Sequence, residues 1–220
     1  LILKEVLKML LLKNCNVFDS LEGQFFLSDI LIEDGKIKKV KKNIIVNNLD
    51  TNVIDVKGNT VCPGFIDGHS HIGMWTLNDK GNDANECVKP LTPALRAIDG
   101  LNPHDEAFRD AYSSGITTVM ICPGSGNVIG GQAAIIKTYG SSVEEMTVKS
   151  PAAMKIAFGE NPKRGYSDQK KTPATRMATA ALLRENLVKA QNYLKKLEQG
   201  EQDPEKAPER DLKMEVLVRV

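Results

Sequence analysis

Apolar and polar positions alternate along residues 26–33 and 37–40, and the dipeptide Asp34-Gly35 stands between the two runs. Successive residues of a strand face opposite sides of a sheet, so alternation around Asp-Gly predicts a β-hairpin. Residues 14–19 read as a strand ahead of it. Residues 53–56 and 60–62 flank a second tight turn, Lys57-Gly58-Asn59. Residues 9–60 therefore read as a small β-rich domain. The first methionine, Met9, directly precedes Leu10-Leu11-Leu12, and residues 1–8 read as upstream of the folded chain.

The pattern changes at Val61. Residues 61–68 form an apolar run that ends in His69-Ser70-His71, as expected of a strand buried on both faces. A polar loop follows over residues 78–90. Asn102-Pro103 offers an N-cap and a first-turn proline for a helix through Tyr112, stopped at Gly115. Residues 116–122 are β-branched and apolar and end in Pro123-Gly124-Ser125-Gly126, so strand, helix and strand make a βαβ unit. Residues 133–137 suggest a short strand. Residues 152–158 suggest a stronger one, running into Gly159-Glu160-Asn161-Pro162. A long helix is predicted over residues 174–197, followed by a charged, proline-punctuated surface segment over 198–210 and an apolar stretch from 212 to the last residue. The fold class is α/β.

Composition narrows the classes of function. Of 220 residues, 41% are hydrophobic and 26% charged, enough to bury a core and too apolar for a disordered chain. Lys plus Arg (29) nearly cancel Asp plus Glu (28), so no net field argues for nucleic acid or an anionic membrane surface. The four cysteines, Cys15, Cys62, Cys87 and Cys122, have neither zinc-finger spacing nor disulfide-scaffold density, which reads as a cytoplasmic protein. Residues 1–12 are broken by Lys4, Glu5 and Lys8 and form neither a signal peptide nor a membrane span.

Among the three histidines, His69 and His71 stand two apart on a predicted strand, so their rings project to one side and can share a metal ion. Asp67 falls on the same face, where it could orient a ligating imidazole. His104 lies beside Asp105 and Glu106 and reads as a solvated helix residue. The loop Gly124-Ser125-Gly126-Asn127 reads equally as a close backbone approach to a ligand or as a simple turn.

The stretch Val61-Cys62-Pro63-Gly64-Phe65-Ile66-Asp67-Gly68-His69-Ser70-His71 resembles the P-G-x-I-D-x-H-x-H signature of the amidohydrolase superfamily, where it forms the first barrel strand. Leu31-Ile32-Glu33-Asp34-Gly35-Lys36-Ile37 and Val53-Ile54-Asp55-Val56-Lys57-Gly58 resemble the lead-in of the same proteins, and Gly115-Ile116-Thr117-Thr118-Val119 resembles their second strand. Gly130-Gly131-Gln132 and residues 154–164 resemble the imidazolonepropionase-related branch. The resemblance implies a small N-terminal β-sandwich segment over residues 9–60 and the first half of a TIM-type (β/α)8 metallohydrolase barrel, truncated, over residues 61–220. It places the site at the C-terminal strand ends.

It also implies one or two divalent metal ions, zinc first among them, held by His69, His71 and a bridging group. Lys155 inside its strand offers a carbamate, and Glu160 at the strand's end offers a direct carboxylate. The position of Glu160 slightly favours it, although Lys155 packing its stem and Glu160 capping a loop are plain structural readings of both. Beyond His71 the chain has only His104, so the family's later histidines and catalytic aspartate are expected beyond residue 220. The full-length protein is expected to hydrolyse an amide, lactam or cyclic amidine-type C–N bond of a small molecule through metal-activated water, and this chain alone is expected to be inactive. Imidazolone-like rings, acyl-amino acids and dipeptides are the candidate substrates. Half a barrel would leave strand edges for another copy or the missing half to cover, so a homo-oligomer belongs to this reading.

The competing reading is a non-catalytic amidohydrolase-like scaffold, against which the paired histidines argue. A nucleotide-binding reading around Gly124-Ser125-Gly126 fails because Ile129 stands where G-x-G-x-x-G requires its last glycine.

Overall fold

The computed structural model describes residues 9–75 and 81–219, and the chain divides into two compact units between Gly64 and Phe65. The readings of residues 1–8, of residues 78–80 at the start of the polar loop, and of Val220 lie outside the described residues.

The first unit is one sheet built from β1 (Met9–Asp19), β2 (Gln24–Glu33), β3 (Lys36–Lys41), β4 (Asn52–Asp55) and β5 (Thr60–Val61). Its order is β3-β2-β1-β4, with β5 also on β1. The Asp34-Gly35 hairpin forms as expected: both residues have positive φ (49° and 71°), which a type I′ turn demands. The Lys57-Gly58 turn also forms, but the strands it joins are not hairpin mates. Both β4 and β5 run parallel to β1, on either side of a bulge between Leu12 and Cys15. At that bulge Asn14 sits at φ 57°, its N–H donates to Asp29 (3.0 Å), its side-chain amide donates to Asp55 (2.9 Å), and its carbonyl accepts the Gly58 N–H (2.8 Å). The expected sandwich is not seen: the described residues of this unit make one sheet. Leu11, Cys15 and Ile30 are buried on it, while Phe25 and Ile37 are exposed.

The second unit carries β6 (Phe65–Ser70), β7 (Ile116–Ile121), β8 (Ile129–Lys137) and β9 (Thr147–Ile156), in that spatial order. Only β6 and β7 are parallel, joined through α1 (Glu106–Ser113) as the predicted βαβ unit. The pairs β7/β8 and β8/β9 are antiparallel. Their connections, residues 122–128 and residues 138–146 with the single turn α2 (Val143–Met146), are shorter than the dozen or more residues a parallel crossover takes. A barrel of parallel strands is therefore not seen among the described residues, and the sheet is open and mixed.

Three further expectations are corrected. The strand at residues 61–68 reads in the sequence as buried on both faces. In the structure β6 lies at the sheet's edge with Phe65 61% and Ile66 75% exposed, because it has a neighbour on one side only. Helix α1 is capped not by Asn102 but by Asp105, whose Oδ1 accepts the Ala107 N–H (2.9 Å), while Asn102 shapes the preceding turn. The strand read over residues 152–158 starts earlier, at Thr147, and ends at Ile156, and Glu160, expected at the strand's end, instead opens α3 (Glu160–Ser167).

Helix α4 (Arg176–Gln202), capped by Thr175, outlasts its predicted end, and α5 (Leu212–Leu217) closes the described chain. Among the described residues no helix is long and apolar enough to cross a membrane. Met74, Phe108, Val119, Ile121, Ala134, Ile136 and Met146 form the main core of this unit, between α1 and the inner face of β7 and β8. That core anchors the strands whose ends carry the site.

Candidate metal centre

Parallel pairing brings the C-terminal ends of β6 and β7 to one side. Ser70 registers with Ile121, and the Cys122 N–H donates to the Ser70 carbonyl at 3.0 Å, so His71 and Cys122 emerge side by side. The His71 Nδ1 lies 2.7 Å from the Cys122 carbonyl oxygen. A carbonyl only accepts, so this bond requires the proton on Nδ1 and leaves the Nε2 lone pair for a metal. The His69 and His71 rings stand 5.1 Å apart at 80°. Strand β9 delivers the half-buried Lys155, whose Nζ lies 3.4 Å from His69 Nε2. His69, His71 and Cys122 can each offer one ligand atom with all three atoms within 4.8 Å of one another.

The electrostatics bear on the protonation of the His69 imidazole and the Cys122 thiol. The Lys155 ammonium, aided by burial and by His71 and opposed by Asp67, holds His69 below its ordinary value. That favours the neutral imidazole, the form that binds metal. Burial pushes the Cys122 thiol up, with Lys155 working against it and Asp67 adding to it.

The structure sorts the candidates read from the sequence. Lys155 stands against His69. Glu160 instead opens α3 as an exposed residue and pairs with Lys163 at 2.7 Å; that hydrogen bond, against an opposing desolvation, holds its carboxyl below the ordinary range. It is not in the group whose donor atoms converge. Asp67 accepts the backbone N–H of His69 (3.0 Å) rather than an imidazole proton. His104 is exposed on the turn before α1, and with His71, Ile72, Trp75 and Glu106 it lines a cleft of about 630 Å³. The Gly124 and Gly126 positions lie against the Asn85 side chain so closely that any Cβ would overlap it, which accounts for both glycines by packing.

Two features escaped the sequence reading. Cys122 looked like one of four scattered thiols, and its position directly after the second apolar strand was the available signal. The buried chain from Tyr166 Oη to Asn127 (2.6 Å) and on to Thr92 (2.8 Å) had no signal, since it joins α3 to two loops distant in sequence. Burial pushes the Tyr166 phenol up to about 12, with Cys87 and Glu86 adding to the shift.

No protein-family model matches the chain. An amidohydrolase of Hapsidospora irregularis is 36% identical over 168 residues, covering 70% of this chain and 17% of that protein. A dihydroorotase of Aquifex aeolicus is 38% identical over 117 residues, covering 52% of this chain and 22% of that protein. A crystal structure of an amidohydrolase from Thermotoga maritima superposes with a TM-score of 0.88 at 44% identity, over 96% of this chain and 55% of that one. None of these three carries the name imidazolonepropionase. The chain thus spans about half the length of the solved relative and less of the curated ones. With the H-x-H strand end and this likeness together, the chain belongs to the amidohydrolase superfamily, related to hydrolases of C–N bonds.

Proposed function

We propose that this chain supplies the first metal-binding strand of a (β/α)8 metallohydrolase that cleaves an amide, lactam or cyclic amidine-type C–N bond. The observation that carries the reading is the convergence of His69 and His71 at a parallel strand end, with the Lys155 amine 3.4 Å from His69 Nε2. The donor set fits a divalent cation of borderline softness such as zinc. A bound ion would supply Lewis acidity, lowering the pKa of water and polarising the scissile carbonyl.

The residues present do the rest of the holding. His71 is fixed in the tautomer that frees Nε2 by the Cys122 carbonyl, and Asp67 fixes the backbone turn at His69. Lys155 serves as a carbamate that adds an oxygen donor, formed when its ammonium gives up a proton and the amine then takes up CO2 with loss of a second proton to solvent; its place beside His69 favours it over Glu160. The cleft between His71, Trp75 and the start of α1 is the approach for a small cyclic or acyl-amide substrate. The dihydroorotase name of a relative supports a ring amide as the first substrate class to test.

The test is metal content and hydrolysis of dihydroorotate, hydantoin, acyl-amino acid and dipeptide panels by the longest protein encoded by the reading frame. Stoichiometric metal, with turnover abolished in His69→Ala and His71→Ala, is expected. A folded protein that binds no metal and turns over none of the panel would instead be a scaffold.

A further inference from the structure

Tyr166, Asn127 and Thr92 form a hydrogen-bonded chain that ends beneath Lys155. Tyr166 on α3 is 1% exposed, and its Oη donates to Asn127 Oδ1 at 2.6 Å. Asn127, equally buried, donates through Nδ2 to Thr92 Oγ1 at 2.8 Å. The Thr92 hydroxyl in turn lies 3.0 Å from the Ile129 carbonyl and 3.2 Å from that of Gly130. Gly130 has the Lys155 stem directly over it: a Cβ there would lie 3.3 Å from Lys155 Cγ. The residue next to Asn127 holds the same strand end, since the Val128 carbonyl accepts the Ala157 N–H at 3.1 Å. The chain beyond Lys155 is thus pinned twice, at Ala157 and at Tyr166, to the loop that begins at Cys122, whose carbonyl orients His71.

A phenylalanine would fill the Tyr166 site by packing alone, whereas a buried hydroxyl is costly unless its partners are all in place. A fully satisfied network of this kind makes the backbone around it rigid. Lys155 reaches out on a flexible four-carbon stem, so holding its amine 3.4 Å from His69 Nε2 calls for a fixed backbone beneath it. We propose that Tyr166 is a positioning residue of the metal centre: through Asn127 and Thr92 its hydroxyl fixes the backbone under Lys155 and so sets where that side chain meets the ion held by His69 and His71. This rests on the metal-centre reading above, with Lys155 as the third group. The Tyr166 hydroxyl acts through Lys155, which makes its role measurable as a coupling between the two residues.

The experiment is a double-mutant cycle on cobalt(II) affinity in bicarbonate, in the longest protein encoded by the reading frame. Tyr166→Phe removes one hydroxyl and keeps the ring. It is expected to weaken cobalt binding about 10-fold where Lys155 is present and by less than about 2-fold in the Lys155→Ala background. Should Tyr166→Phe fail to fold by circular dichroism, Thr92→Val cuts the same chain nearer to Gly130 and takes its place in the cycle. Equal losses in both backgrounds, or no loss in either, overturn the proposal and leave the metal centre standing. Tighter cobalt binding by Lys155→Ala than by the unaltered protein removes Lys155 from the centre and overturns the proposal as well. Cobalt bound no more tightly by the unaltered protein than by His69→Ala overturns the metal-centre reading itself, and the proposal with it.

Discussion

Asp29 shows how much one buried side chain decides. It is 4% exposed, accepts the N–H groups of Asn14 and Ile44, and lies 3.4 Å from the Lys13 amine. Burial opposes its ionisation, but those two hydrogen bonds and Lys13 outweigh it and hold the carboxyl below the usual range. A depressed folded value adds stability that is present above the unfolded pKa of about 3.9 and lost as pH falls through the folded value. Asp29→Ala should cost about 1.5–3 kcal/mol in denaturant unfolding near pH 7. Asp29→Asn should flatten the acid limb of the stability profile relative to the parent. At the metal centre, the geometry separates the two bridge candidates. Lys155→Ala should weaken zinc binding about 10-fold or more in bicarbonate, whereas Glu160→Gln, which loses only an exposed ion pair with Lys163, should leave it unchanged by calorimetry.

Among the elements, β8 was the least legible from the pattern. Residues 133–137 are apolar enough to mark a strand, but its first half is Ile129-Gly130-Gly131-Gln132, and two glycines disguise it. The glycines are there because another backbone passes alongside: a Cβ on Gly131, at φ 133°, would lie 2.6 Å from the Leu95 carbonyl, which already accepts the Gln132 N–H at 2.7 Å. Gly131→Ala should therefore lower stability by more than about 1 kcal/mol and expose the residues 92–96 segment to hydrogen exchange. The same limit hid α3. A Gly-Glu-Asn-Pro sequence reads as a strand end, and only Tyr166 reaching Asn127 and Pro162 packing inward explain why a helix forms there.

For the whole molecule, the open sheet carries a liability that follows from its order. β6 carries His69 and ends just before His71, the two candidate metal ligands, and it lies at the edge of its sheet, with Ile66 75% exposed. Exposed apolar edge strands recruit other chains, and a charge on them prevents it. Ile66→Lys should raise the concentration at which the chain self-associates in light scattering while leaving cobalt binding intact.

Local sequence was enough for the hairpin at Asp34-Gly35, the parallel β6–α1–β7 unit and the pair His69 and His71. These follow from period-two alternation, turn chemistry and residue spacing, all contained within short stretches of chain. The remainder came from tertiary packing. The short connections after β7 turned the expected parallel strands antiparallel. The edge position of β6 left an apolar strand exposed. Side-by-side strand ends brought Cys122 and Lys155, 33 residues apart from each other and far from the histidines in sequence, to one place. Contacts across a sheet depend on register and connection length together, and no periodicity within one segment carries that information.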